Sequence, residues 1–200
     1  MSSWPPSSTA DQLPYAGRLV RLRDIGPADA ELLDRWNRET EVGSFNDFGP
    51  RQPVDREHLA SGPLRNERHG TLIVERVGDG EPVGTVSWRS VTVYGPSPMS
   101  DTWQIGIELI PQARGRGLGT EAQRLIADWL FATTKANRVE ASTDVDNLPE
   151  QRSLDKAGYR REGVARGAQF RGGAYHDLVY YARLRSDDQD ATDPIATSTD

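Results

Sequence analysis

The chain reads as a mixed α/β domain, and three observations carry that reading. Residues 71 to 110 hold three segments of strand-like alternation, TLIVERV, EPVGTVSWRSVTV and TWQIGIELI, separated by Gly, Asp and Pro turns. The period then changes, and in TEAQRLIADWLFATT the residues Ala122, Leu125, Ile126, Trp129 and Leu130 fall at helical spacing. A length of 200 residues without a single Cys suits one domain with a short segment at each end.

The elements follow in order. GRLVRLRDI alternates and predicts an opening strand around Leu19, Val20 and Leu22. Pro27, suited to a first helical turn, starts PADAELLDRWNRE, where Leu32, Leu33 and Trp36 share a face. GSFNDFGPRQP is rich in turn formers yet carries Phe45 and Phe48, so it predicts a loop able to cover a substrate, with a weak helix near 55 to 66 after it. The three alternating segments predict an antiparallel meander. The amphipathic helix comes next, then a short strand in RVEASTDV, and a helix in PEQRSLDKAGY opened by Pro149 and closed by Gly158. AYHDLVYYARL is the final strand, with room for one more before it around REGVARGAQF.

Composition narrows the function classes. With 24 Lys and Arg against 30 Asp and Glu the net charge is −6, which argues against a protein that grips nucleic acid through its phosphates. The lack of Cys excludes a disulfide framework, a thiolate zinc site and a cysteine acyl-enzyme. His58, His69 and His176 are too far apart in sequence for a local ligand pair, so no metal is expected. No apolar run approaches a membrane span, and the start lacks the pattern of a signal peptide, so a soluble cytoplasmic protein is expected. Residues 1 to 16, with Pro5, Pro6 and Pro14, read as a flexible segment, and 186 to 200, with Asp187, Asp188, Asp190, Asp193 and Asp200, as an acidic disordered tail. The folded domain is placed at 17 to 185.

The chemistry-bearing segment is Arg114-Gly115-Arg116-Gly117-Leu118-Gly119-Thr120, between a strand and the amphipathic helix. Three glycines bare the backbone, so successive N–H groups can converge on an anion at the positive end of the helix, with Arg114 and Arg116 adding charge. Its physics suits a phosphate or pyrophosphate. Neither G-x-x-x-x-G-K-[ST] nor G-x-G-x-x-G is present, since Gly115, Gly117 and Gly119 are each two apart and position 120 is Thr.

Arg114, Gly117 and Gly119 fit the pattern [QR]-x-x-G-x-[GA], and DNLPEQRSLDKAGYRREG downstream supplies Asn147, Leu154, Lys156, Gly158 and Tyr159 in register with a second motif. With both in order, the chain resembles the GNAT superfamily of acetyl-CoA-dependent N-acetyltransferases. The opening LVRLRDIGPADAELLDRW and closing YHDLVYYARL are similar to RimJ/RimL-like members.

That resemblance implies a mainly antiparallel central sheet flanked by helices, with two splayed parallel strands, residues 102 to 110 and 138 to 145. The pantetheine arm of acetyl-CoA lies in the opening against the backbone of Leu109 and Ile110, and the amides of residues 114 to 120 wrap the pyrophosphate. Asn147 is implied as a contact to the cofactor arm, with an Asx turn before the helix as its other role. Glu108 is implied as the general base that takes the proton of the attacking amine, with Glu140 on the neighbouring strand second. Phe45, Asn46, Asp47 and Phe48 fall in the acceptor-facing loop, while Arg166 and Arg171 are open to the CoA 3′-phosphate or to solvent. Two departures stand out: Leu154 replaces a Tyr that protonates the departing thiolate in many relatives, and Glu150 replaces a Ser. The general acid is left unassigned. The implied activity is direct acetyl transfer to a primary amine, on a protein N-terminus or a small molecule. Succinyl or another acyl donor, a non-catalytic CoA-binding regulatory module, and a homodimer are left open.

Overall fold

The computed structural model describes residues 15–39, 44–66 and 68–187. Its strands are β1 (Tyr15–Ala16), β2 (Val20–Asp24), β3 (His69–Arg76), β4 (Pro82–Thr92), β5 (Asp101–Leu109), β6 (Arg138–Asp144), β7 (Arg160–Arg171) and β8 (Ala174–Leu184). Its helices are α1 (Ala30–Arg38), α2 (Arg56–Ala60), α3 (Leu118–Thr133) and α4 (Leu148–Lys156). The strands form a single sheet in the order β1-β2-β3-β4-β5-β6-β8-β7. Every neighbouring pair is antiparallel except β5 and β6.

Alternation along the strands divides the side chains between two layers. On one face, Val20, Leu22, Leu72, Val74, Val86, Trp88, Ile105 and Val139 pack against Leu118, Ala122, Leu125, Ile126, Trp129 and Leu130 of α3. The indoles of Trp88 and Trp129 meet with centroids 5.0 Å apart. The other face carries a smaller cluster in which Ile25, Ala30, Leu59 and Ile73 are buried with Leu33 and Trp36 of α1 packed against them.

Four boundaries differ from the sequence expectation, each for a local reason. The helix expected over 55 to 66 is only α2, because Gly62 at φ +145° and Pro63 cannot continue it. Helix α3 begins two residues before the expected Thr120, since Gly117 takes the left-handed conformation at its N-cap. Tyr15 and Ala16, assigned to the flexible segment, pair with Leu22 and Arg21 across a turn closed by Gly17 N–H on Val20 O. Asp187, assigned to the tail, accepts from Leu184 N–H and pairs with Arg160. Residues 1 to 14 and 188 to 200 lie outside the described residues.

Candidate functional site

The β5–β6 pair is the parallel seam of an otherwise antiparallel sheet. It is in parallel register only at Trp103 with Val139 and Gln104 with Glu140. On its other side β5 stays paired with β4 from Thr92 and Asp101 to Gly84 and Leu109. The two parallel strands therefore part after Gln104 and Glu140, and the far ends of β5 and β6 open a wedge. A cavity of about 230 Å³ sits at its base, lined by Ser87, Gln104, Gly106, Glu140, Ser142 and Tyr180 among others.

The turn from β5 into α3 closes one side of this opening. After a tight turn at Pro111–Ala113, the Arg114 side chain folds back so that Nε donates to Leu109 O at 3.0 Å. Gly115 and Gly117 follow at φ +73° and +78°, conformations in which a side chain is strained. Gly119 packs closely: a Cβ there would stand 3.3 Å from Leu109 Cδ1, which would have to give by a few tenths of an ångström, and 3.7 Å from Ile107 Cδ1. Arg114, Gly115, Arg116 and Gly117 are exposed, while Leu118 anchors the turn in the core. The N–H groups of Leu118, Gly119 and Thr120 belong to the first turn of a 16-residue helix and have no acceptor within it. This cradle of bare amides at a positive helix end fits a pyrophosphate, and the wedge beside it exposes the backbone edges an extended arm needs.

Glu108 lies next to the end of β5 on the face opposite α3, and its carboxylate is about one-third exposed. Both oxygens already have a partner. Arg51 Nη1 donates to Oε2 and Nη2 to Oε1, each at 2.7 Å, in a bidentate fork. The pair lines a cavity of about 390 Å³ whose walls include Trp36, Thr85, Leu109, Ile110 and Arg114, so this cavity runs from α1 to the glycine turn.

Glu140 has a different setting. It is buried at the last rung of the parallel pair, where it accepts from Arg138 Nε at 2.6 Å and Tyr94 Oη at 2.9 Å. The bond to Glu140 raises the Tyr94 hydroxyl above its ordinary range. Glu140 thus closes a structural knot, although it also lines the smaller cavity.

The remaining residues named from sequence divide among the α3–α4 seam, the loop ahead of α2 and β7. Asn147 caps α4, accepting from Glu150 N–H, and its amide nitrogen donates to Thr143 Oγ1 at 2.9 Å. Leu154 is buried, and the neighbouring Ser153 hydroxyl bonds Thr120 Oγ1 at 2.9 Å. Glu150 turns toward α3 and accepts from Gln123 Nε2; burial pushes its carboxyl up to about 7. Phe45 stacks on the Arg171 guanidinium at 5.3 Å, Asn46 offers its carbonyl to Arg51, and Phe48 is mostly exposed. Arg171 itself is buried against Asp144, so it belongs to neither a solvated loop nor an exposed phosphate contact. Arg166 is exposed. Arg51 and the Asp144–Arg171 pair were not legible in the sequence, because no motif joins residues 57 and 27 positions apart. Among the described residues no three His, Cys, Asp or Glu side chains are grouped as for a metal, and no helix is long and apolar enough to cross a membrane.

Comparison with known proteins bears on the fold and the family. The probable N-acetyltransferase YjcK of Bacillus subtilis strain 168 is 39% identical over 85 residues, 42% of this chain and 47% of that protein, so the match spans about half of its length. The structure of RimL, a ribosomal L7/L12 alpha-N-protein acetyltransferase, in complex with coenzyme A superposes with a TM-score of 0.68 at 16% identity, covering 84% of this chain and 95% of RimL. The aminoglycoside acetyltransferase AAC(6')-Ib, also in complex with coenzyme A, does so at 0.67 and 20% identity, over 87% and 99%. The family model of the acetyltransferase (GNAT) domain matches residues 19–160, which contain the parted strands, the glycine turn and α4. With the family model matching most of its length and its fold shared with these structures, the chain belongs to the GNAT acetyltransferase family.

Proposed function

We propose that the protein is an N-acetyltransferase that moves an acetyl group from acetyl-CoA directly to a primary amine entering the cavity beside Glu108. The observation that carries this reading is the parallel pair that parts after Gln104 and Glu140, with a bare-amide helix terminus at its mouth. The residues suited to hold acetyl-CoA are the backbone of Leu109 and Ile110 and the amides from Arg114 to Thr120. Bound there, acetyl-CoA supplies an activated thioester; the amine forms the new C–N bond as the C–S bond breaks.

The amine must first be neutral. At pH 7 freeing the base form costs about 1.1 kcal/mol for an α-amine of pKa about 7.8 and about 4.6 kcal/mol for a lysine-like amine near 10.4. Glu108 is the carboxylate of the larger cavity suited to receive that proton, and an incoming ammonium competes with Arg51 for its oxygens. The acceptor class spans protein N-termini and small-molecule amines; RimL and AAC(6')-Ib, two structures with the same fold, are named for one of each.

The test is CoA thiol release with a panel of N-terminal peptides, amino acids, polyamines and aminoglycosides, run beside Glu108→Gln. Turnover with one class, and a loss in kcat of about 100-fold or more in the variant with acetyl-CoA binding retained, is expected. Acetyl-CoA binding without turnover across the panel would favour a CoA-binding regulatory module, and an unaffected Glu108→Gln would remove the proposed base.

A further inference from the structure

The loop ahead of α2 is tied to both of the strands that part. At its far end Arg51 forks onto Glu108, next to the end of β5, and also reaches Asn46 O. At its near end Arg171 Nη1 donates to Ser44 O at 3.1 Å and its guanidinium lies over the Phe45 ring. Arg171 is in turn fixed by Asp144, the last residue of β6, which accepts from Nη2 at 2.5 Å. His176 of β8 flanks the same pair, with Nδ1 3.2 Å from Asp144 Oδ2 and Nε2 3.1 Å from Arg171 O. Between the two ties the chain turns on itself, Asp47 N–H bonding Ser44 O and Phe48 N–H bonding Asn46 O. Residues 44 to 51 therefore form a strap joining the free ends of β5 and β6, with one arginine–carboxylate pair at each end.

The two ties are unequal. Glu108 and Arg51 are each about one-third exposed on the wall of the larger cavity, where a charged acceptor competes for them. Asp144 and Arg171 are buried, at 2% and 8% side-chain exposure. A charge-assisted bond shielded from water holds its geometry more firmly than an exposed one. The buried tie is thus the fixed end from which the strap is hung, and the Arg51 end is the one an acceptor can release.

We infer that Arg171, locked by Asp144, is a positioning residue for the amine acceptor: it fixes Ser44 and Phe45 so that the strap stands across the parted strands and completes the acceptor wall. This rests on the reading that the acceptor enters beside Glu108. The groups suited to the donor, the backbone of Leu109 and Ile110 and the amides of residues 114 to 120, take none of the bonds that tie the strap, so the effect should fall chiefly on the acceptor.

The full-length protein with Arg171→Met and Arg171→Lys tests it by two readouts. In hydrogen exchange, Arg171→Met should speed exchange at Asp47 and Phe48 while leaving α3 as in the wild type. In kinetics it should raise the acceptor KM about tenfold and leave the acetyl-CoA KM within twofold, the scale expected for losing one charge-assisted hydrogen bond. Arg171→Lys, which keeps the charge but cannot hold Asp144, Ser44 O and Phe45 together, should fall between the two, and it decides the matter if the Met variant does not fold. Unchanged exchange at Asp47 and Phe48, or an acetyl-CoA KM that moves as much as the acceptor KM, overturns the inference. Hydrogen exchange needs no acceptor and so reads the strap even if no amine is acetylated; normal Arg171 variants beside an impaired Glu108→Gln would sink this inference alone.

Discussion

Glu150 shows how one buried carboxyl couples stability to pH. It sits in the first turn of α4, where a negative charge suits the helix dipole, but its side chain is pressed against α3 with Gln123 Nε2 as its hydrogen-bond donor. Loss of solvation outweighs that bond and raises its pKa from an ordinary 4.5 to about 7. Between those values the folded protein holds a proton that the unfolded chain has released, so stability falls as pH rises through that window and levels off above it. A shift of this size corresponds to about 3 kcal/mol. Glu150→Gln should therefore be more stable than the wild type at pH 8, by on the order of 3 kcal/mol, with the difference vanishing near pH 4. Urea unfolding at the two pH values reads this, and equal midpoints at pH 8 would contradict it. The sequence marked Glu150 as a departure from the family pattern, but its burial and its bond to Gln123, 27 positions away, arise only where α4 meets α3.

At the scale of the element, α3 carries the most consequence. Its first-turn Glu121 accepts the backbone N–H groups of Arg18, Leu19 and Val20 at 3.1, 2.5 and 2.8 Å, tying the start of β2 to the helix that bears the anion cradle. Gly17 is demanded by the same contact, since a Cβ there would lie 2.7 Å from the Glu121 carboxyl carbon. Glu121→Ala strips three donors of their shared partner and should cost about 2 kcal/mol in chemical denaturation. Gly117→Ala should cost about 1–2 kcal/mol for the left-handed backbone, because φ at this N-cap is +78°. It should also weaken acetyl-CoA in a direct titration, whereas unaltered affinity would show that the turn does not cradle the pyrophosphate. The helix, its start near the glycines and the three meander strands were legible because period and turn chemistry are local properties. The expected length of α2 overran Gly62 and Pro63, stop signals that stand in the sequence itself, whereas the assignment of Tyr15 and Ala16 to the flexible segment failed because their order depends on a partner strand.

At the scale of the whole molecule, the sheet separates two kinds of surface. The α3 side is a continuous apolar core centred on Trp129, which is fully buried against Trp88. Trp129→Ala should lower stability by about 3–5 kcal/mol, visible as a thermal midpoint roughly 10 °C lower. A midpoint within a degree or two of the wild type would mean that the core closes over the gap. The opposite face is laced by arginine–carboxylate pairs, Arg23 with Glu75, Arg51 with Glu108, Arg138 with Glu140 and Arg171 with Asp144. The layer architecture, the order of most elements and the glycine turn were readable from sequence, because alternation, helical period and φ constraints are written in neighbouring residues. Where β5 and β6 part, which arginine meets which carboxylate, and the bridging of the two strands by residues 44 to 51 emerge only in the folded chain. Those features depend on distant segments meeting, and no local pattern encodes which of the 24 Lys and Arg faces which of the 30 Asp and Glu.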